Sequence, residues 1–323
     1  MELRWGILGL GKIAGQFCED LQLIDGSSIE AVGSRSLEKA KAFGGRFDVE
    51  KCYASYAELM DDPDVDIIYI ATPHDSHMQH TIAAMKKGKH VLCEKPMGVN
   101  RVQVEAMINC ARVHKVFLME ALWTRFNPSM QAILRHVSSG EIGEIKNINA
   151  DFAFLANAPD DSRLFNLELA GGSLLDIGIY PIFLSYLIKG MPESIIASGV
   201  LHKTGADRQI GAVLTYKDAI SSVMSSFDTH SDMVAKIYGT EGKIFINRRW
   251  HQSDGYQIEK DGELKDYSLP RKGRGYTYEI EECMRCISSG MLESDQWSLN
   301  DSLNLISILD EIRRQVGIVY PFE

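Results

Sequence analysis

The chain has 323 residues, 45% apolar and 24% charged, with a formal net charge of −10, a length that allows two domains with ample core. An acidic balance with no basic block argues against nucleic acid as a partner, and no apolar stretch is expected to be long enough to span a bilayer. Met1-Glu2-Leu3-Arg4 lacks the basic and apolar regions of a secretory signal, so a cytoplasmic setting is expected, and the six scattered cysteines, Cys18, Cys52, Cys93, Cys110, Cys283 and Cys286, read as reduced and mostly buried.

The first apolar run, Trp5-Gly6-Ile7-Leu8, enters the turn Gly9-Leu10-Gly11-Lys12-Ile13-Ala14 and leaves it as a helical pattern. This is the G-x-G-x-x-G/A arrangement of a dinucleotide site. Gly9 permits a tight turn, Gly11 lets the backbone approach a pyrophosphate, and Ala14 lets the helix pack on the strand. The helix N-terminus then presents free N–H groups to the phosphates. An ordinary strand–helix turn has the same glycines. The position between a predicted strand and a predicted helix favours a cofactor, with Gly9, Leu10, Gly11, Lys12 and Ile13 in contact.

The second strand, Ser28–Ser34, ends in Gly33-Ser34-Arg35-Ser36, with Lys39 one turn into the next helix. An NAD site usually carries an acid at this corner for the ribose hydroxyls. Here there is none, and the Arg35 fork with the Ser34 hydroxyl suits a 2′-phosphate, so NADP(H) is expected over NAD. Ser55-Tyr56-Ala57-Glu58 is a capping box, and Asp61-Asp62-Pro63 ends its helix. The strand Val65–Ala71 runs into Thr72-Pro73-His74-Asp75-Ser76-His77, followed by a helix that stops at Gly88. A loop at this end of a doubly wound sheet faces the ligand, which assigns Thr72, Pro73, His74 and His77 to the cofactor side. His74, His77 and His80 lack a carboxylate or cysteine to complete a metal set, so no metal is expected, and His77 reads as a packing or hydrogen-bonding residue. The strand His90–Cys93 ends in Glu94-Lys95-Pro96; a surface salt bridge has the same charged pair, but strand ends on this side of the sheet line the cofactor cleft, and Pro96 fixes where Lys95 points. Asn100 caps a helix with Val104, Met107, Ile108 and Ala111 on one face, and Val116–Met119 is a further strand. Strands and helices alternate to residue 121, which predicts an α/β Rossmann domain with a parallel sheet over residues 1–121.

The pattern changes in residues 122–323, expected to form an α+β domain for substrate binding and oligomerisation, with a large, mostly antiparallel sheet. A helix starts at Asn127-Pro128 and ends near Gly140, and Ile148–Phe154 alternates as a half-buried strand. Hairpin signals stand at Lys217-Asp218, Thr240-Glu241-Gly242 and Asp261-Gly262. Cys283-Met284-Arg285-Cys286 lies in a helical pattern and reads as packing, since no further zinc ligands stand at suitable spacing. The last helix carries Leu305, Ile308, Leu309, Ile312 and Val316 on one stripe. Helices suffice for one face of the sheet only, so the other face, expected to alternate in apolar residues, needs burial in a homodimer.

Ala170-Gly171-Gly172-Ser173-Leu174-Leu175-Asp176-Ile177-Gly178-Ile179-Tyr180 is the second informative stretch. Asp176 and Tyr180 stand at i and i+4 on one helical face, and Gly178 keeps that surface low. A core helix with a buried tyrosine has the same spacing. Together with Ala71-Thr72-Pro73, Glu94-Lys95-Pro96 and the glycine turn, however, the stretch resembles the glucose–fructose oxidoreductase and inositol dehydrogenase family. Ala121-Leu122-Trp123-Thr124-Arg125-Phe126 and Leu174–Tyr180 are similar to the dimeric dihydrodiol dehydrogenase branch, which also oxidises D-xylose with NADP. The likeness runs from Leu3 to Pro321.

The resemblance implies that Lys95 is the catalytic lysine, Tyr180 the acid/base residue and Asp176 the carboxylate beside them. Glu94, Lys95, Trp123 and Arg125 are expected at the cofactor, and Trp123 and Phe154 read as walls of an apolar substrate pocket that also holds Asp176 and Tyr180. The inositol dehydrogenase pattern has a histidine at Tyr180 and an acid at Phe183, so inositol is a poor substrate. The expected activity is NADP-linked hydride transfer on a small polyol, aldose or dihydrodiol. Reduction of a ketose-like sugar such as anhydrofructose is one alternative, and a regulatory NADP sensor without turnover is another. A sensor needs neither Lys95 nor Tyr180.

Overall fold

The apolar runs of the N-terminal half pair in parallel as one six-stranded sheet: β1 Leu3–Leu8, β2 Ser27–Gly33, β3 Lys51–Tyr53, β4 Ile67–Ile70, β5 His90–Glu94 and β6 Leu118–Ala121. The computed structural model describes residues 2–323. The strand order is β3-β2-β1-β4-β5-β6, and it reverses between β1 and β4. That reversal opens the crevice where doubly wound sheets bind ligands. The edge strand β3 is too short to show a period and escapes sequence reading. Helices α1 Lys12–Leu21, α2 Leu37–Gly44, α3 Tyr56–Asp61, α4 His77–Lys86 and α5 Arg101–His114 connect the strands. Ser36 caps α2, the Ser55–Glu58 box caps α3, and Asn100 caps α5.

The chain divides into two compact units, Met1–Phe126 with Lys272–Leu303, and Asn127–Arg271 with Asn304–Glu323. This differs from a single division at residues 121 and 122. The returning segment holds α8 Thr277–Ser288, with Cys283 and Cys286 buried on it. The reason is a tether absent from any local pattern. Asp20 of α1, buried, accepts hydrogen bonds from the backbone N–H groups of Arg274 (2.8 Å), Gly275 (3.0 Å) and Tyr276 (2.8 Å).

The second unit is built on an eight-stranded sheet in the order β14-β13-β12-β11-β7-β10-β9-β8. Its strands are β7 Ile145–Ala153, β8 Ser194–Leu201, β9 Asp207–Thr215, β10 Ile220–Ser226, β11 Ala235–Gly239, β12 Gly242–Ile246, β13 Gly255–Lys260 and β14 Glu263–Ser268. Only β7 and β10 pair in parallel; the other pairs are antiparallel, with tight hairpins at the three expected turns. Ala150, Ile210, Val223, Ile237 and Ile258 are buried on one side of the sheet, where α7 Ile179–Lys189 packs against β7 and β10. Helix α6 Pro128–Ser138 precedes the sheet, and α9 Leu299–Val316 ends the helical part of the chain.

The opposite side is more polar than expected. Ile196, Val213 and Ile220 are 71%, 38% and 46% exposed at the β8–β10 end, whereas Asn147, Asn149 and Lys236 occupy the centre on β7 and β11. A second expectation also needs correction. The segment Leu167–Lys189, helical except at residues 170–172, is long and apolar enough to cross a bilayer by length and composition, but it is mostly buried, as in a protein core.

Candidate active site

In the first unit the glycine turn stands at the sheet's reversal point. Gly9 has φ +92°, and a Cβ there would lie 2.7 Å from the Ala71 carbonyl and 2.8 Å from Thr72 N. Glycine is therefore required twice over, by conformation and by the close approach of the β4 loop. A Cβ at Gly11 would stand in open space. Gly11 is the N-cap of α1, with no side-chain cap and no acid in the first turn. The α1 amides thus face an open cradle, as a pyrophosphate requires. Leu10 is half-buried beside this turn, and Lys12 and Ile13 are exposed on it. At the end of β2, Ser34 Oγ accepts the Ser36 N–H (3.3 Å), while Arg35 and Lys39 are exposed. Burial first, then the neighbouring His77 and Arg35, lower the basicity of His80. Neutral and cationic groups thus meet at the corner where a 2′-phosphate would sit.

The Lys95 turn is held from three sides. Lys95 N–H donates to Glu94 Oε2 (3.1 Å), and Glu94 Oε1 accepts from Tyr69 Oη (2.5 Å). Burial and the Glu94 charge push the Tyr69 phenol far up, so it stays a donor. His77, fully buried, lies with Nδ1 2.8 Å from the Pro96 carbonyl oxygen and Nε2 2.8 Å from the Thr72 carbonyl oxygen. Glu120 of β6 accepts the Met97 N–H at 2.8 Å and the Trp297 indole N–H at 3.3 Å. Burial pushes the Glu120 carboxyl up. Glu120 escaped sequence reading because it stands inside a buried strand with no partner near it in sequence. His80 Nδ1 is 3.3 Å from Thr72 Oγ1, and the His74 ring lies 5.7 Å from that of His77. Pro73 is exposed on the same loop. Trp123 stacks on Tyr276 at 5.0 Å, and Arg125 Nε donates to the Gln296 carbonyl (2.8 Å).

In the second unit Asp176 and Tyr180 flank a change of helix type. Leu174–Gly178 is a π-helical turn, and α7 begins only at Ile179. The single α-helix expected from the sequence is corrected here. Pro181 lacks the N–H that the Ile177 carbonyl would accept in an α-helix, and the wider turn lies immediately before it. The turn is pinned from below. Asp207, fully buried, accepts from Ser173 Oγ (2.8 Å) and Leu174 N (2.7 Å), and Ser173 Oγ lies 2.9 Å from Ser225 Oγ. Gly178 sits over Ser225, where a Cβ would come within 2.8 Å of its oxygen.

Above this floor Tyr180 is 6% exposed, and its ring lies 5.6 Å from Phe152 and 5.3 Å from His251. Phe152 and His251 stack at 4.3 Å. Asp176 faces Arg163 at 3.4 Å. Phe154 packs on Phe227 at 5.2 Å, in a cluster with Phe165 and Ile177. Phe152 and His251 thus stand beside the Tyr180 ring, and sequence reading did not single them out. Phe152 shares the strand face of Phe154, so the alternation of β7 held the signal. His251 lies on a distant turn with no local signature.

Known proteins resemble the chain along nearly its whole length. Residues 3–122 match an oxidoreductase family with an NAD-binding Rossmann fold, and residues 130–245 match the GFO/IDH/MocA C-terminal domain. The trans-1,2-dihydrobenzene-1,2-diol dehydrogenase of Mus musculus is 37% identical, over 99% of each chain. A 3-ketoreductase from Actinomadura kijaniata, crystallised with NADP and TDP-benzene, is 26% identical with a TM-score of 0.89, over 98% of both chains. An aldose-aldose oxidoreductase from Caulobacter crescentus, complexed with glycerol, is 25% identical with a TM-score of 0.90, also over 98% of both.

Proposed function

The chain belongs to the GFO/IDH/MocA family of oxidoreductases, and from that premise we propose that it is an NADP-dependent dehydrogenase of a small polyol, aldose or dihydrodiol. The observation that carries this reading is 37% identity with a dihydrodiol dehydrogenase over 99% of both chains. The NADP preference rests on Arg35 and Ser34 and on the missing acid at the end of β2.

When bound, the nicotinamide takes up or supplies the hydride. The chain's own residues handle the proton and the developing charge on the substrate oxygen. Tyr180 removes the hydroxyl proton during oxidation and returns it during reduction. Lys95 contributes an ammonium that favours the Tyr180 phenolate and stabilises the alkoxide. Asp176 orients this pair. Phe152 and His251 beside Tyr180 supply flat walls for a ring-shaped substrate. Gly9 to Ile13, Thr72, Pro73, His74 and Glu94 would line the bound cofactor.

A second reading, reduction of a keto sugar, is favoured by likeness to the 3-ketoreductase. An absorbance screen with NADP and NADPH against aldoses, ketoses, polyols and dihydrodiols separates the two. Turnover in at least one direction is expected, and cofactor binding without turnover of any substrate contradicts both. The open face of the eight-stranded sheet, with Ile196, Val213 and Ile220 exposed, supports assembly as a homodimer. A monomer at micromolar concentration by sedimentation opposes that assembly.

A further inference from the structure

His77 joins the cofactor loop to the Lys95 turn. Both of its ring nitrogens face backbone carbonyl oxygens at 2.8 Å, those of Pro96 and Thr72. Carbonyls only accept hydrogen bonds, and a neutral imidazole has one donor. In the neutral ring one of these contacts would set a nitrogen lone pair against an oxygen lone pair, in a place where His77 has no exposure to solvent. Only the imidazolium satisfies both contacts.

We propose that His77 is a positioning residue for Lys95 and that it works as an imidazolium, donating one N–H to the Pro96 carbonyl and the other to the Thr72 carbonyl. The charged groups around it divide. Burial, the largest influence, and Lys95 of the β5 turn hold the ring below its usual basicity, while the two carbonyls and Asp75 of its own loop favour the cation; the imidazolium therefore rests on the two acceptor contacts. His80, one turn along α4, and His74 are the other titratable rings nearby.

The clamp has a direction. Gly9 packs on the backbone at Ala71 and Thr72. Thr72 accepts from His77, and His77 also donates to Pro96, the residue after Lys95. Glu94 holds the Lys95 N–H and Glu120 holds the Met97 N–H. The phosphate loop and the lysine are thus joined by buried bonds, and His77 is the link between them. It also adds a positive charge behind Lys95, which strengthens the field that favours a phenolate on the acid/base residue.

The kinetic part of this proposal rests on the reading of Lys95 given above; the protonation state of the ring does not. The test uses the whole protein with 15N-labelled histidine, with the His77 signals assigned by their loss in His77→Gln. Protons on both ring nitrogens at pH 8 are expected, and one bare nitrogen overturns the imidazolium. In the dehydrogenase assay, His77→Gln and His77→Leu should lower kcat on the order of ten- to hundredfold, as misplacement of a catalytic group does. They should also move the acid limb of the pH–rate profile to higher pH, which a merely structural role would not. A folded variant with wild-type kcat and profile overturns the positioning role. Should the variants fail to fold, the ring protons of the wild type still decide the first part. Should the wild type turn over no substrate, the functional reading fails, and the spectrum remains decisive for His77.

Discussion

Replacing Asp207 tests what holds the π turn before Tyr180. Its Oδ2 accepts from Ser173 Oγ at 2.8 Å and Leu174 N at 2.7 Å, in full burial. Asp207→Ala takes the acceptor from the buried Leu174 N–H, at a cost of about 1–3 kcal/mol, while Ser173 Oγ keeps Ser225 Oγ at 2.9 Å. The neighbouring Gly172 supplies an internal control. It has φ +137°, and a Cβ there would lie 2.0 Å from Asp207 Oδ1. Gly172→Ala therefore combines backbone strain, about 1–3 kcal/mol, with a collision against Asp207. In the Asp207→Ala background the collision is gone and only the strain remains. Urea unfolding of wild type, both single variants and the double variant closes a double-mutant cycle. The double variant should lose clearly less stability than the two single losses added together. Strict additivity, or an Asp207→Ala loss under about 1 kcal/mol, would refute the view that this carboxylate pins the turn.

Two further outcomes follow from the first unit. Arg35→Asp should weaken NADP on the order of ten- to hundredfold, the loss of one charge-assisted contact, and calorimetry showing equal wild-type affinity for NAD and NADP counts against the assignment. Glu120→Gln sets an amide nitrogen against either the Met97 or the Trp297 N–H, so thermal unfolding should show a loss of about 1–3 kcal/mol; an unchanged melting temperature contradicts the role given to Glu120.

The elements most legible in the sequence were those that repeat a period or need a special residue. The central parallel strands β1 and β4 carry continuous apolar runs, the hairpins carry their turn residues, and Ser55 and Asn100 announce their helices. Gly9 and Gly11 were readable because a tight turn and an open helix N-terminus leave little choice of residue. Long-range contacts leave no such trace. Asp20 gathers the amides of Arg274, Gly275 and Tyr276 from the far end of the chain, so the return of that segment to the first unit could not be read from composition. His251 reaches the Tyr180 ring from a distant turn for the same reason. The π turn was hidden because i, i+4 spacing looks alike in α and π geometry; the position of Pro181 was its only local sign.

The central claim is that Tyr180 and Lys95 move the proton as one unit, and the pH–rate profile of NADP-linked oxidation tests it most directly. A free tyrosine titrates near pH 10, and a neighbouring ammonium lowers that value by favouring the phenolate. Tyr180→Phe should lower kcat by about 10²–10⁴-fold, the usual weight of a general acid/base, and leave cofactor affinity nearly unchanged. Lys95→Ala should be at least as damaging and should raise the apparent pKa of the remaining activity. The double variant should be little worse than either single one, since groups acting as a unit are not additive. If Tyr180→Phe keeps most of its kcat and the wild-type profile, the proton is handled elsewhere and the account is wrong.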